Sequence, residues 1–232
     1  MTNPQNLQES VDAVITSRKS VRAFLPNSIS RAEIEQILRV ASRAPSGTNT
    51  QPWRVYVLTG ATLARFKERI LGIHNQPELA KTYREEYHYY PEKWISPYIE
   101  RRRKVGWDLY ALLGLERDNK AGIHQQHGRN YQFFDAPVGL IFTVDRIMAM
   151  GSWLDYGMFL QNIMLAARAR GMDTCPQAAF TQYHRVIQEL LQFPDNEMVV
   201  CGMALGYADL GKIENTLVTE RAPVSEFSVF YD

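Results

Sequence analysis

Three short stretches hold residue types that can do chemistry. Arg18-Lys19-Ser20-Val21-Arg22 places three cations and a hydroxyl within five residues. In extended backbone Arg18, Ser20 and Arg22 fall on one side, and a guanidinium fork suits phosphate oxygens. The run is therefore a candidate anion grip, although a solvated basic turn has the same composition. Pro45-Ser46-Gly47-Thr48-Asn49-Thr50-Gln51-Pro52-Trp53 gathers backbone N–H groups, hydroxyls and amides. Such a loop recognises the polar edge of a flat heterocycle, or simply joins a helix to a strand. Cys175-Pro176-Gln177-Ala178-Ala179-Phe180 contains small residues that let backbone approach a ring closely. Arg221, followed by Ala222-Pro223, is a fourth candidate in the C-terminal tail.

Several chemistries lack their signatures. There is no GxxxxGK[ST] phosphate loop, no HExxH, no GxSxG and no GxGxxG. His124 and His127 share a helical spacing, but no Cys or acidic ligand set accompanies them, so no metal site is expected. Arg101-Arg102-Arg103-Lys104 is basic, yet the net charge is only +1, which argues against nucleic acid as a partner. No apolar run approaches the roughly 20 residues that span a bilayer, so no membrane partner is expected. The N-terminal stretch lacks the pattern of a secretory leader. The two cysteines, Cys175 and Cys201, form no CxxC pair and point to a reducing, cytoplasmic setting. With no nucleophile or acid–base pair in evidence, an enzyme built on this chain would take its chemistry from a cofactor.

The elements that must position these residues are legible in part. Residues 7–17 read as a helix with Leu7, Val11, Val14 and Ile15 on one face. Ser30 and Glu33 form a capping box for a second helix, which is expected to run to Ala44 before Pro45. Strands are expected at 54–60, 136–144 and 197–207, as apolar runs buried on both faces. A long helix over 153–170 carries a wide apolar stripe, with Gly171 as its C-cap. Another helix is expected near 183–192. Residues 74–134, rich in Tyr, Trp, Arg and His, read as a helical insertion without strands. The tail beyond Gly206 reads as an extended arm that needs something to dock on. Few strands interleaved with helices imply one layered α+β or α/β domain over 1–232.

Together, RKSVR, APSGTNTQPWRVYV, DAPVGLIFTVD, LQNIMLAARARGMDTCPQ, VVCGMALGYAD and TERAPVSEF resemble the FMN-dependent nitroreductase family over most of the chain. Residues 74–134 resemble its nitrobenzoate-reductase-like members. The resemblance implies an α+β, three-layer fold with a central, mostly antiparallel sheet surrounded by helices. It also implies an intertwined homodimer with FMN at the interface. Arg18, Lys19, Ser20, Arg22 and Arg221 would meet the FMN phosphate and ribityl chain. Pro45, Ser46, Gly47 and Asn49 would reach the flavin from the other subunit. Pro176, Gln177, Ala178 and Ala179 would face the flavin N5 edge, and Arg129 its pyrimidine. Many relatives carry an acidic residue and a glycine where this chain has Ala178 and Ala179, so contact with N5 would be through backbone. The implied activity is ping-pong transfer of hydride from NADH or NADPH to nitroaromatics, quinones or similar acceptors. Dehalogenation, dehydrogenation or non-catalytic flavin binding are the other activities such a fold supports. Trp107 and Tyr110, on a helix expected over 99–114 beside Arg101–Arg103, are the expected wall for an aromatic acceptor.

Overall fold

The computed structural model describes residues 4–231. Met1–Asn3, the start of the segment read above as carrying no leader, lie outside the described residues, as does Asp232. One four-stranded antiparallel sheet has the order β1-β2-β4-β3, with β1 at Trp53–Thr59, β2 at Val138–Asp145, β3 at Asp173–Gln177 and β4 at Glu197–Gly206. Helices α1 (Pro4–Ser17), α2 (Arg31–Ala41) and α3 (Gly60–His74) belong to the first third of the chain. α4 (Pro77–Ala80), α5 (Tyr98–Leu112) and α6 (Lys120–Gly128) make up the insertion. α7 (Met150–Arg168), α8 (His184–Leu191) and the single turn α9 (Val224–Phe227) follow. The fold is α+β.

The sheet separates two apolar layers. On one face α2 and α7 contribute Ile34, Ile37, Tyr156, Phe159 and Ile163, which pack with Leu140, Phe142 and Met203. On the other face α3, α8 and the 3-10 turns at 129–135 and 178–183 contribute Phe66, Ile70, Ile187, Phe133 and Phe180. The capping box forms as expected: Ser30 Oγ accepts from the Glu33 N–H at 3.2 Å, and Glu33 accepts from the Ser30 N–H at 3.0 Å. α2 ends at Ala41 rather than Ala44, because the chain tightens into 3-10 bonds from Arg43 to Val40 and from Ala44 to Ala41 before Pro45.

Two expectations need correction. β2 and β4 are buried on both faces, but β1 is an edge strand and leaves Val57 40% exposed. β3 was not expected at all: Asp-Thr-Cys-Pro-Gln contains a proline and no β-branched run. It survives because it lies at the other edge, where the missing Pro176 N–H costs no central ladder bond. Patterning also passed over α3, although Leu63, Phe66, Ile70 and Ile73 recur at helical spacing and are all buried.

Two glycines let aromatic rings lie against the sheet. A Cβ on Gly139 would sit 2.7 Å from the Phe133 ring, and one on Gly202 would collide with Phe180. The two rings stack on each other with centroids 4.6 Å apart. Gly202→Ala is expected to lower stability by about 1–3 kcal/mol, the usual range for overpacking, read as an earlier urea midpoint.

The insertion is seated on the core by histidines. His74 of α3, 6% exposed, stacks on His124 of α6 with centroids 4.0 Å apart and touches His127 and Tyr131. Burial pushes the His74 imidazole below its ordinary 6.5. The neutral ring thus contributes stability that is complete above about pH 6.5 and drains away as pH falls through the lowered value. His74→Gln is expected to flatten that acid limb when urea midpoints are compared at about pH 7.5 and about pH 5.5.

Candidate functional site

The basic segment is held extended against β3. Ser20 forms a parallel bridge with Thr174, and the Val21 N–H donates to the Thr174 carbonyl at 3.1 Å. Val21 is fully buried, while Arg18, Lys19, Ser20 and Arg22 are half-buried. Asn215, in a 3-10 turn at Ile213–Thr216, clamps this segment from the C-terminal side. Its Oδ1 accepts from the Arg22 N–H at 2.7 Å, its Nδ2 donates to the Ala23 carbonyl at 2.8 Å, and its own carbonyl accepts from Lys19 Nζ. Among the described residues, no carboxylate lies within ion-pair distance of Arg18, Lys19 or Arg22. Lys19 is still felt by the Asp173 carboxylate, but none of the three cations is closed in an ion pair, which leaves the segment net positive as an anion site requires.

Arg129 stands behind the segment. Its Nη2 donates to the Arg22 carbonyl at 3.2 Å and pairs with Asp135 at 3.2 Å and Glu214 at 4.0 Å. Its guanidinium is thus largely committed to protein, although its buried Nε has no partner. Arg129 supports the backbone of the grip, which differs from the ring contact expected of it.

β3 runs from the grip to a cavity. Pro176, Gln177 and Ala178 line a hollow of about 780 Å³, faced by Trp153 and Leu160 of α7. Gln177 is 2% exposed; its Nε2 donates to the Asn130 carbonyl at 2.6 Å, but its Oε1 has no partner. Thr174 Oγ1, beside Ser20, is also buried and unpartnered. Buried polar atoms normally find partners, so both orphans cost stability, and they point to opposite faces of the strand. Thr174 and Gln177 are three residues apart, about 10 Å along an extended strand. The site thus offers a basic segment at one end and a largely apolar hollow at the other.

The remaining expected residues divide. The 45–52 loop is pinned to α7 by the Gly47 N–H donating to Asp155 Oδ2 at 3.1 Å and by Trp53 stacked on Phe159 at 4.6 Å. Thr48, Asn49 and Gln51 all have left-handed φ, near 50 to 59°, a conformation non-glycine residues adopt at a cost. Pro45, Gly47 and Asn49 are exposed and Ser46 half-buried, and none lines the cavity of its own protomer. Ala179 adjoins the cavity-lining Ala178 in the 3-10 turn that follows β3. Arg221 is not brought to the basic segment. Its guanidinium bonds locally to Thr219 and Glu220 and lies in a groove between the arm and α5. Trp107 and Tyr110 do not line the cavity either. They meet edge to face at 5.7 Å on α5, with Arg117 over the Trp107 ring at 4.7 Å. The aromatics that do line it are Trp153 and Tyr156 of α7 and the pair Tyr87 and Tyr89. Trp153 belongs to the apolar stripe legible in α7. Asn215 and Asn130 carried no sequence signal, being single polar residues in irregular chain.

Comparison with known proteins gives the family and the fold. The model described as the Nitroreductase family matches residues 15–207. A 4-nitrobenzoate reductase of Pseudomonas putida is 43% identical over 97% of this chain and 96% of its own. A nitrobenzene nitroreductase of Ectopseudomonas oleovorans is 39% identical over 95% and 96%. Among solved structures, the FMN-dependent nitroreductase NfnB of Mycobacterium smegmatis, in complex with NADPH, superposes with a TM-score of 0.92 at 29% identity, covering 97% of this chain and 100% of that one. The FMN- and NADPH-dependent NfnB of sphigopyxis sp. strain HMH gives a TM-score of 0.91 at 34% identity, covering 96% and 99%.

Asn215→Ala removes the clamp and leaves the Arg22 N–H without a partner, while the Ala23 carbonyl keeps only the Asp209 N–H. A loss of about 1–3 kcal/mol in stability is expected, measured by urea unfolding.

Proposed function

The chain belongs to the nitroreductase family, and on that premise we propose that it is an FMN-dependent oxidoreductase that reduces nitroaromatics with electrons from NAD(P)H. The observation that carries this reading is β3, which joins a net positive segment to an apolar hollow. FMN has the matching construction, a phosphate joined by a ribityl chain to a flat ring with a polar edge. When bound, it supplies the hydride-transfer chemistry that no side chain here provides.

The protein's own residues bind, orient and exclude water. Arg18, Lys19 and Arg22 meet the phosphate, with Ser20 and Thr174 beside them as hydroxyl partners. The Gln177 amide, bonded to the Asn130 carbonyl, holds the end of β3 in place beneath the ring. Pro176, Ala178 and Ala179 give the ring a close backbone edge. Trp153 and Leu160 keep the hollow apolar, which strengthens each of these polar contacts.

The functional unit is proposed to be a homodimer. α1 leaves Leu7 56% and Val11 47% exposed, α7 leaves Leu154 73% exposed, and the arm ends in Phe230 and Tyr231 at 79% and 92%. So much apolar surface in three separate elements is what an obligate interface covers. The exposed 45–52 loop would then serve a neighbour's flavin, and Arg221 would reach a phosphate across the interface. Trp107 and Tyr110 keep a place in this reading only as residues presented to the other subunit's acceptor. Cys175 and Cys201 are both buried and unpaired, which favours a cytoplasmic setting. Among the described residues no helix is long and apolar enough to cross a membrane.

The purified protein is expected to be yellow, to release one FMN per chain and to sediment as a dimer. NADPH or NADH should bleach it under anaerobic conditions, and a nitroarene should restore the colour. Recovery of FAD, or a flavin that neither nucleotide reduces, would overturn the reading. Arg22→Ala is expected to weaken FMN binding roughly ten- to a hundredfold in a fluorescence titration, the range for losing a charge-assisted phosphate contact.

A further inference from the structure

One wall of the cavity comes from chain that has no backbone ladder to hold it. Residues 81–97 contain neither helix nor strand, yet Glu86, Tyr87, His88 and Tyr89 line the hollow. Side chains alone must fix this strap. Tyr83 meets Tyr183 edge to face at 5.6 Å, and Tyr87 packs on Trp153 at 4.6 Å. The Tyr87 hydroxyl donates to the Val200 carbonyl. Val200 is the extra residue of a β-bulge, because Phe142 pairs with Cys201 and Thr143 with Val199. The bulge thus presents a carbonyl outside the regular register, and the strap uses it.

Between these aromatic anchors lies an ionic one. Glu86 Oε1 accepts from Arg146 Nη1 at 2.7 Å, and Glu86 Oε2 lies 3.2 Å from His184 Nδ1. Each carboxylate oxygen therefore has a partner from a different part of the core, one just after β2 and the other at the start of α8. Arg146 is itself fixed, its Nε donating to the Asp195 carbonyl at 2.7 Å. The Glu86 and His184 side chains are 19% and 14% exposed, so solvent screens this cluster less than an ordinary surface pair. Neighbouring cations do not substitute for it: Arg84 bonds locally to Lys81 and Tyr83, and Arg102 lies over Tyr90 and Trp94.

We propose that Glu86, clamped between Arg146 and His184, fixes the cavity wall it forms with Tyr87 and Tyr89 and thereby decides which aromatic acceptors the cavity admits. It touches neither the basic segment nor β3, so its effect falls on acceptor binding rather than on holding the cofactor. The inference rests on the nitroreductase reading of the cavity.

The test uses the FMN-loaded protein with Glu86→Gln, Arg146→Met and the double variant. Binding of 4-nitrobenzoate to the oxidised protein is followed by the change in flavin absorbance, and turnover is measured with 4-nitrobenzoate and with a small quinone. If the strap is held as proposed, each single variant weakens 4-nitrobenzoate binding about three- to tenfold, as expected for a half-buried ion pair. KM should move more than kcat, and the ratio between the two acceptors should change. FMN content should stay at the parent's level. The double variant should be no worse than the worse single one, since both remove the same link. Limited proteolysis should cut within 81–97 faster in all three. Unchanged nitrobenzoate affinity and acceptor ratio in both single variants would overturn the proposal. So would equal losses for both acceptors accompanied by flavin release, which is what a general structural role produces. A parent protein that binds no nitroarene and reduces neither acceptor would instead overturn the functional reading itself.

Discussion

A phenyl ring occupies the space that any side chain at position 202 would need. Phe180 lies over Gly202 of β4, stacked on Phe133, which lies over Gly139 of β2 in the same way. Gly202 is also the residue that pairs with Gln177 at the last rung of β3. The ring therefore turns the chain sharply just where β3 stops, and Ala178 and Ala179 are delivered to the cavity edge as a 3-10 turn. Without that close approach, the five-residue edge strand would have no fixed end, and the amide of Gln177 no fixed direction.

The same strand explains how the site tolerates unfavourable features. Charged residues outside ion pairs and buried polar atoms without partners both cost stability in the free protein. Here they fall on β3, the segment bridged to it and the neighbouring 129–135 turn, and the backbone of the segment is held from behind. Asn215 closes the far side of Arg22, and Arg129 holds the Arg22 carbonyl while Asp135 and Glu214 balance its own charge. Rigid support behind an under-satisfied front is the arrangement by which a binding site is oriented before its ligand arrives.

The acceptor side follows a different logic. Its floor is α7 and the sheet, fixed by regular hydrogen bonding. Its outer wall is irregular chain tied down by tyrosines and one carboxylate. A wall held by a few side chains can change between relatives without disturbing the sheet, which fits a fold whose members differ in the molecules they reduce.

Local patterns were enough for much of this protein. The capping box of α2, the apolar runs of β2 and β4 and the wide stripe of α7 follow from spacing alone, since each depends on residues near in sequence. The basic segment and the 45–52 loop were likewise visible as residue types. What spacing left open was which residues meet. β3 has too little β-propensity to be read as a strand and exists because β4 offers it an edge. Spacing could not show that Arg129 pairs with Asp135 and with Glu214, the latter some 85 residues away. Spacing singled out Trp107 and Tyr110, but the cavity of the single chain is lined by Tyr87 and Trp153, because a β-bulge at Val200 and a carboxylate at Glu86 tie another part of the insertion to the core. Such partnerships join residues far apart in the chain, and only the folded sheet brings them within reach.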